Sequence, residues 1–198
     1  MNLALFDFDG TITTREMFPD FVRLAVPAHR LALGKVLLAP LIAGYKLGVV
    51  SGSILRAAVV RLGFSGVPLA AVEAYGLEFA QSAIPLVLRP EALERINWHK
   101  SHGDTIVVVS GAFDVYLRPW CNANQVALIS SSLEHRHGAL TGRYQGHQCV
   151  LDEKARRVRE AYDLSSYSRI YAYGDTKEDL GLLSLAHERY YQWQQMPA

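Results

Sequence analysis

The chain has 198 residues, half of them hydrophobic and a fifth charged, with a formal net charge of +1. This is the composition of a folded domain with room for a substantial core, and it excludes a disordered chain. No long basic run is present, which excludes the electrostatic footprint of a nucleic-acid-binding protein.

The first predicted element is a strand over Leu3–Phe6 that runs into Asp7-Phe8-Asp9-Gly10-Thr11. Residues i and i+2 of an extended chain face the same way, so Asp7 and Asp9 can converge on one ligand. Two acids at a strand end can hold a divalent cation, or one can attack an electrophile while the other moves a proton. Gly10 supplies the permissive backbone of a sharp exit. No signal-peptide pattern is seen at the N-terminus, and Cys121 and Cys149 lack metal-type spacing. Both features point to a cytoplasmic protein with reduced, buried thiols.

From Thr14 to about Leu88 the pattern is helical, broken at Pro27, Pro40, Ser51-Gly52, Gly63–Gly66 and Pro85. We read residues 14–85 as an inserted cap of about four helices, set between core segments 1–13 and 86–198. Within it, Leu31 to Val50 is almost wholly apolar, interrupted by Lys35, Pro40 and Lys46. The run Val36–Tyr45 is too short for a membrane span, which needs about 20 residues. It is expected to form a buried helix or a pair of short helices, with peripheral lipid contact as the alternative.

Further strands are predicted at Thr105–Val109, Val126–Ser130, Arg169–Tyr173 and Arg189–Trp193. Helical patterns fall at about Glu91–His102, Phe113–Asn122, Asp152–Tyr162 and Lys177–Ser184. This alternation predicts an α/β fold with a parallel sheet covered on both faces. The polar stretch Leu133–Tyr144, centred on Gly138, reads as a hairpin. Active sites of open α/β sheets lie beyond the carboxyl ends of the strands. An insertion leaving after Thr11 would sit over Asp7 and Asp9, excluding water and choosing substrate.

Three more signals fall at the same edge. Ser110-Gly111 follows an apolar strand and offers a hydroxyl and open backbone N–H groups suited to phosphate oxygens. Lys154 shares a helical face with Leu151, Val158 and Ala161, so its ammonium either snorkels to solvent or reaches a buried anion. Gly174-Asp175-Thr176-Lys177-Glu178-Asp179 places Asp175 at a strand exit and Asp179 four residues on. Asp7, Asp175 and Asp179 offer hard oxygen ligands suited to Mg²⁺, while Ser110, Gly111 and Lys154 offer donors to a phosphoryl group. A carboxylate approaching a phosphate faces about 4 kcal/mol of repulsion per unit-charge pair at 4 Å in an effective dielectric near 20. A cation and a lysine can offset that repulsion; neutral hydrogen bonds alone would struggle.

The ordered set DFDGT, VVVSG, Lys154 and YGDTKED resembles the haloacid dehalogenase-like phosphohydrolase superfamily, in particular its phosphoserine-phosphatase-like branch with a helical cap. The resemblance spans nearly the whole chain. It implies a Rossmann-like core and Mg²⁺-dependent phosphoryl transfer through an aspartyl-phosphate. Asp7 would be the nucleophile and Asp9 the general acid/base. Asp7, the backbone carbonyl of Asp9, and Asp175 would hold the metal, with Asp179 in support. Thr11, Ser110, Gly111 and Lys154 would bind phosphate. An acid at position 9 favours phosphate over carbon–halogen substrates.

Glu16 matches the acidic cap residue with which phosphoserine phosphatases bind their substrate's amino group, and Arg56 and Arg61 are candidates for its carboxylate. One departure is Glu178, where an asparagine is usual. The expected substrate is a small phosphorylated metabolite such as phosphoserine. Glu16-Met17-Phe18 and the apolar run are also similar to the phosphatidylglycerophosphatase C type, so a lipid-headgroup phosphatase is the alternative within the enzyme class. Outside it, the rival is a signalling module phosphorylated on aspartate.

Overall fold

A computed structural model describes residues 1–197. Strand β1 (Leu3–Phe6) leads into five helices: α1 (Phe18–Ala25), α2 (Ala28–Leu37), α3 (Ala39–Lys46), α4 (Gly52–Phe64) and α5 (Leu69–Ser82). Next come α6 (Pro90–Ser101), β2 (Thr105–Phe113), α7 (Asp114–Ala123) and β3 (Ala127–Ser131). The hairpin β4 (Leu133–Arg136) and β5 (Ala139–Tyr144) precedes α8 (Asp152–Ala161) and β6 (Ile170–Gly174). A 3₁₀ turn at Lys177–Asp179, α9 (Leu180–Leu183), β7 (Glu188–Tyr191) and β8 (Gln194–Gln195) close the chain.

The main sheet has the order β3-β2-β1-β6-β7-β8 and is parallel except for β8. Its strands alternate between two cores, as a sheet covered on both faces requires. Ala4, Phe6, Ile106, Val108, Tyr171 and Tyr173 face one core. Leu3, Leu5, Val107, Val109, Ile170 and Ala172 face the other. The chain winds outward from β1 through β2 to β3, then returns to β6 on the opposite side of β1. The switch point between β1 and β6 is where such folds open a crevice.

The helical segment leaves and rejoins the sheet through a narrow neck. The Thr14 N–H donates to the Val87 carbonyl at 2.8 Å, and the Arg89 N–H to the Ile12 carbonyl at 2.9 Å. On its far side α5 packs against α7, with Gly76 at the contact: a Cβ there would lie 2.2 Å from the Val115 carbonyl oxygen. That carbonyl lacks its helical donor because Pro119 stands four residues later, so a close backbone approach is accommodated there.

Several elements differ from expectation for identifiable reasons. The apolar run breaks into α2 and α3 because Pro40 lacks an N–H and starts a new helix, giving five helices in place of about four. Neither α2 nor α3 contains a buried residue, which corrects the expectation of a buried helix or helix pair. Strand β2 continues past Val109 to Phe113, with its register against β3 shifting between Ser110 and Phe113. Ser110 and Gly111 therefore sit on an irregular strand end, one turn before α7. Lys177–Ser184 divides into a 3₁₀ turn and a short helix, because the Asp179 side chain caps the turn at Thr176. The hairpin at Gly138 is present, its turn residues His137 and Gly138 both at positive φ. Cys121 and Cys149 are free and buried.

Candidate active site

Asp7 follows directly on β1, and its N–H donates to the Tyr173 carbonyl of the neighbouring β6 at 2.9 Å. The sheet ladder therefore extends to the residue itself and fixes where its carboxylate emerges. Gly10 then turns the chain at φ +82°. A Cβ at Gly10 would lie 2.1 Å from Asp175 Oδ2, so the two acidic segments meet only because this residue has no side chain.

The carboxylates of Asp7, Asp175 and Asp179 offer oxygens within 4.8 Å of one another. The Lys154 ammonium lies among them, 2.5 Å from Asp7 Oδ1 and 2.6 Å from Asp179 Oδ1, with the lysine only 3% exposed. The lysine of the apolar stripe thus reaches a buried anion and does not snorkel. The stripe itself is narrower than its spacing indicates. Lys154, Ala155 and Val158 turn inward, while Ala161 is exposed and Leu151 precedes the helix at φ +53° with its side chain exposed.

Asp179 is the anchor of the acidic loop. Its Oδ2 accepts from the Asp175 N–H at 3.2 Å, the Thr176 N–H at 3.0 Å and the Thr176 hydroxyl at 3.1 Å, and its Oδ1 accepts from Lys154. Thr11 donates its hydroxyl to Asp175 Oδ1 at 3.3 Å and is buried behind the cavity wall, so the structure places it beside the metal-type cluster. Asp9 turns away from that cluster. Its Oδ1 accepts the Met17 N–H at 3.0 Å, which ties it to the first residues of the helical segment.

Burial raises the Asp9 carboxyl to about 7, against the smaller lowering effect of the Met17 N–H. A carboxyl in that range can give and take protons near neutrality. Burial also pushes Asp7 up from the ordinary carboxylate range, with Lys154 as the main opposing influence. For Lys154 burial favours the neutral amine, but the charges and hydrogen bonds of Asp7 and Asp179 outweigh it and hold the ammonium protonated. Burial and the Asp179 charge raise Asp175, opposed by the Thr11 hydrogen bond.

These groups line one cavity of 430 Å³ that also contains Asp9, Glu16, Arg56, Ser110 and Gly111. Ser110 is buried, and its Oγ accepts the Ala112 N–H at 3.1 Å, which leaves its own O–H free to donate into the cavity. Across the opening, Arg56 of α4 donates to Gln148 Oε1 at 3.3 Å and to Glu178 Oε2 at 3.4 Å, and lies 3.8 Å from Glu16 Oε1. A residue of the helical segment is thereby tied to the loop carrying Asp175 and Asp179. Arg61 is not among the cavity residues; its backbone abuts Gly142 of β5.

Sequence reasoning missed Arg89, Gln148 and Tyr45. Arg89 donates to the Gly10 and Thr13 carbonyls at 3.1 and 3.2 Å and so braces the turn after Asp9. It lies 79 residues from Gly10, and no local spacing marks it. Gln148 sits in a polar loop without periodicity, and Tyr45 is at the end of the apolar run, where it reads as one more hydrophobic residue.

The sequence profile of the haloacid dehalogenase-like hydrolases matches residues 4–184. The chain belongs to that family. It is 30% identical over 191 residues to the protein CicA of Caulobacter vibrioides, a match covering 96% of this chain and 85% of that protein. A histidinol-phosphatase of Neisseria meningitidis is 29% identical over 118 residues, covering 56% of this chain and 53% of its own length.

The family fold is also shared with solved structures. A Bordetella pertussis protein of unknown function superposes with a TM-score of 0.80 at 23% identity, covering 96% of this chain and 89% of that one. A substrate-bound phosphoserine phosphatase gives a TM-score of 0.69 at 20% identity, covering 96% and 85%. The haloacid dehalogenase-like fold, with the architecture of the phosphoserine phosphatases, is therefore that of this chain.

Proposed function

We propose that the protein is a Mg²⁺-dependent phosphomonoester hydrolase that works through an aspartyl-phosphate on Asp7. The observation that carries this reading is the buried Lys154 ammonium shared by Asp7 and Asp179 at the switch point of the sheet. A dedicated cation there opposes the rise that burial imposes on the Asp7 carboxyl.

Asp7 Oδ attacks phosphorus, and the bond from phosphorus to the ester oxygen breaks. The leaving oxygen takes the proton of Asp9, whose carboxyl is poised near neutrality. Asp9, now a carboxylate, removes a proton from water as the water attacks the phosphoaspartate. The bond between phosphorus and the Asp7 oxygen breaks, releasing phosphate and restoring both acids.

Two of the three Lys154 N–H bonds are used on carboxylates, and the third is available to a phosphate oxygen. The Ser110 hydroxyl supplies a second donor, and Gly111 keeps that wall free of a side chain: a Cβ there would lie 2.7 Å from Val150 Cγ1. Thr11 is assigned to positioning Asp175 and not to phosphate itself.

The donor set fits Mg²⁺, being composed of clustered hard oxygens. Asp7, Asp175 and the Asp9 backbone carbonyl would hold it. Asp179 would support it indirectly, since both of its oxygens already accept hydrogen bonds. The bound ion would supply counter-charge to the phosphate.

Residues 14–85 serve in this reading as the cap, with Glu16 and Arg56 facing the part of the substrate beyond its phosphate. Their opposite charges favour a small metabolite bearing an amine or a carboxylate, such as phosphoserine. A cytoplasmic setting is proposed with it. A screen of amino-acid, sugar, nucleotide and glycerolipid phosphates with and without Mg²⁺ tests the reading. Metal-dependent release of phosphate from one class supports it, and no release from any of them counts against it.

A further inference from the structure

Helices α2 and α3 are apolar over most of their surface, yet none of their residues is buried. A helix that is apolar all round ordinarily lies inside a protein or against lipid. On α2, Leu33, Val36 and Leu37 stand at i, i+3 and i+4, so they share one outward face, and Val36 is 73% exposed. Beyond α3 the chain turns at Gly48, and the Val49 and Val50 N–H groups both donate to the Gly44 carbonyl, at 2.9 and 3.2 Å. This turn holds Leu47 and Val49 outward, 78% and 79% exposed. The inner side of the pair is also loosely closed, over an apolar crevice of 150 Å³ between α2, α3 and α4.

Charge decides what would cover this face. Residues 28–50, which form this face, contain Arg30, Lys35 and Lys46 and not one Asp or Glu, in a chain whose net charge is only +1. Of these, Lys35 and Lys46 are exposed beside the apolar side chains, with exposed His29 one helical turn before Leu33. Apolar side chains flanked by the Lys35 and Lys46 ammonium groups match an anionic lipid surface, where the apolar groups enter the acyl boundary and the ammonium groups meet headgroup charge. A second copy of this face would bring like charges together. Among the described residues no helix is long and apolar enough to cross a membrane, so the contact would be peripheral.

We propose that the outer face of α2 and α3, with the Leu47–Val49 turn, docks on an anionic phospholipid surface. The catalytic cavity opens beside that face, because Tyr45 of α3 is exposed and also lines the cavity. The docked protein therefore presents its site at the membrane–water boundary.

Sedimentation of the full chain with phosphatidylcholine vesicles, with and without phosphatidylserine, tests this. Binding is expected to require phosphatidylserine, to weaken at high salt, and to fall about tenfold or more in both Val36→Asp/Val49→Asp and Lys35→Glu/Lys46→Glu. Both variants should keep the parent's melting temperature and its hydrolysis of a water-soluble chromogenic ester. Absence of parent binding to the anionic vesicles overturns the proposal. So does light scattering that shows a dimer dissociated by Val36→Asp/Val49→Asp, which would assign the face to a second copy. Vesicle binding without ester hydrolysis would support this surface while refuting the reading of the active site.

Discussion

Replacing Lys154 by Met isolates the electrostatic logic of the site, because it keeps the apolar stem and removes the charge. In the parent this ammonium is shared between Asp7 and Asp179, both nearly inaccessible to water. Breaking a buried pair by removing one partner typically costs about 3–5 kcal/mol, since the remaining charge stays desolvated. At about 2–4 °C per kcal/mol for a chain of this size, the melting temperature should drop by roughly 6–20 °C at pH 8 in the presence of a chelator. The cost should also depend on pH with a definite sign. Burial raises the Asp7 carboxyl, and without Lys154 nothing as strong opposes it. Its folded-state pKa, already above the unfolded value of about 4 in the parent, then rises further, so the variant's folded state keeps the proton to higher pH. The extra destabilisation is full above the variant's folded-state pKa and fades as pH falls toward the parent's. Melting curves of parent and variant between pH 8 and pH 4 should therefore converge on acidification. A loss under about 1 kcal/mol at pH 8, or a gap that does not change with pH, would refute the reasoning.

Three other outcomes are expected. Gly10→Ala forces a side chain into Asp175 at a positive-φ position and should cut turnover roughly a hundredfold by displacing the acid; unchanged kinetics would show that the two segments need not touch. His99 is buried between the Asp104 carboxylate and the Tyr173 hydroxyl, and burial lowers its pKa. Its contribution to stability should be intact above about pH 6.5 and lost as pH falls toward the folded-state value, so His99→Gln should flatten the acid limb of the melting profile; parallel profiles would count against this. Arg56→Ala removes the tie between Gln148, Glu178 and Glu16. It should raise KM for carboxylate-bearing phosphomonoesters about tenfold, about 1.4 kcal/mol, relative to an uncharged chromogenic ester, and equal changes for both would remove Arg56 from substrate selection.

The parts of this molecule that could be read in advance are those in which the chemistry is local. Asp7 and Asp175 each end a short apolar strand, and the period of two that buries Leu3–Phe6 also fixes where the next residue emerges. Lys154 could be singled out because a charged residue in an inward helical stripe needs an anion, although the partners at 147 and 25 residues' distance could not be read from the stripe. The strand extension through Ser110 to Phe113 was not legible, because it depends on β3 continuing to pair beyond a register shift. The exposure of α2 and α3 was hidden for a different reason: hydropathy reports what a side chain avoids and not whether a neighbour is present to cover it. Arg89 and Gln148 act through contacts made only when distant segments meet, and nothing in their immediate sequence distinguishes them from surface polar residues.

The central claim is that Asp7 carries the phosphoryl group. Hydrolysis of a chromogenic phosphate ester by the parent and by Asp7→Asn, with Mg²⁺ and with chelator, tests it most directly, together with mass spectrometry of acid-quenched protein. The account predicts metal-dependent turnover and a phosphorylated Asp7 in the parent, and a loss of about three orders of magnitude or more in the folded variant. Turnover retained in Asp7→Asn, or a phosphoryl group trapped on another residue, would contradict it.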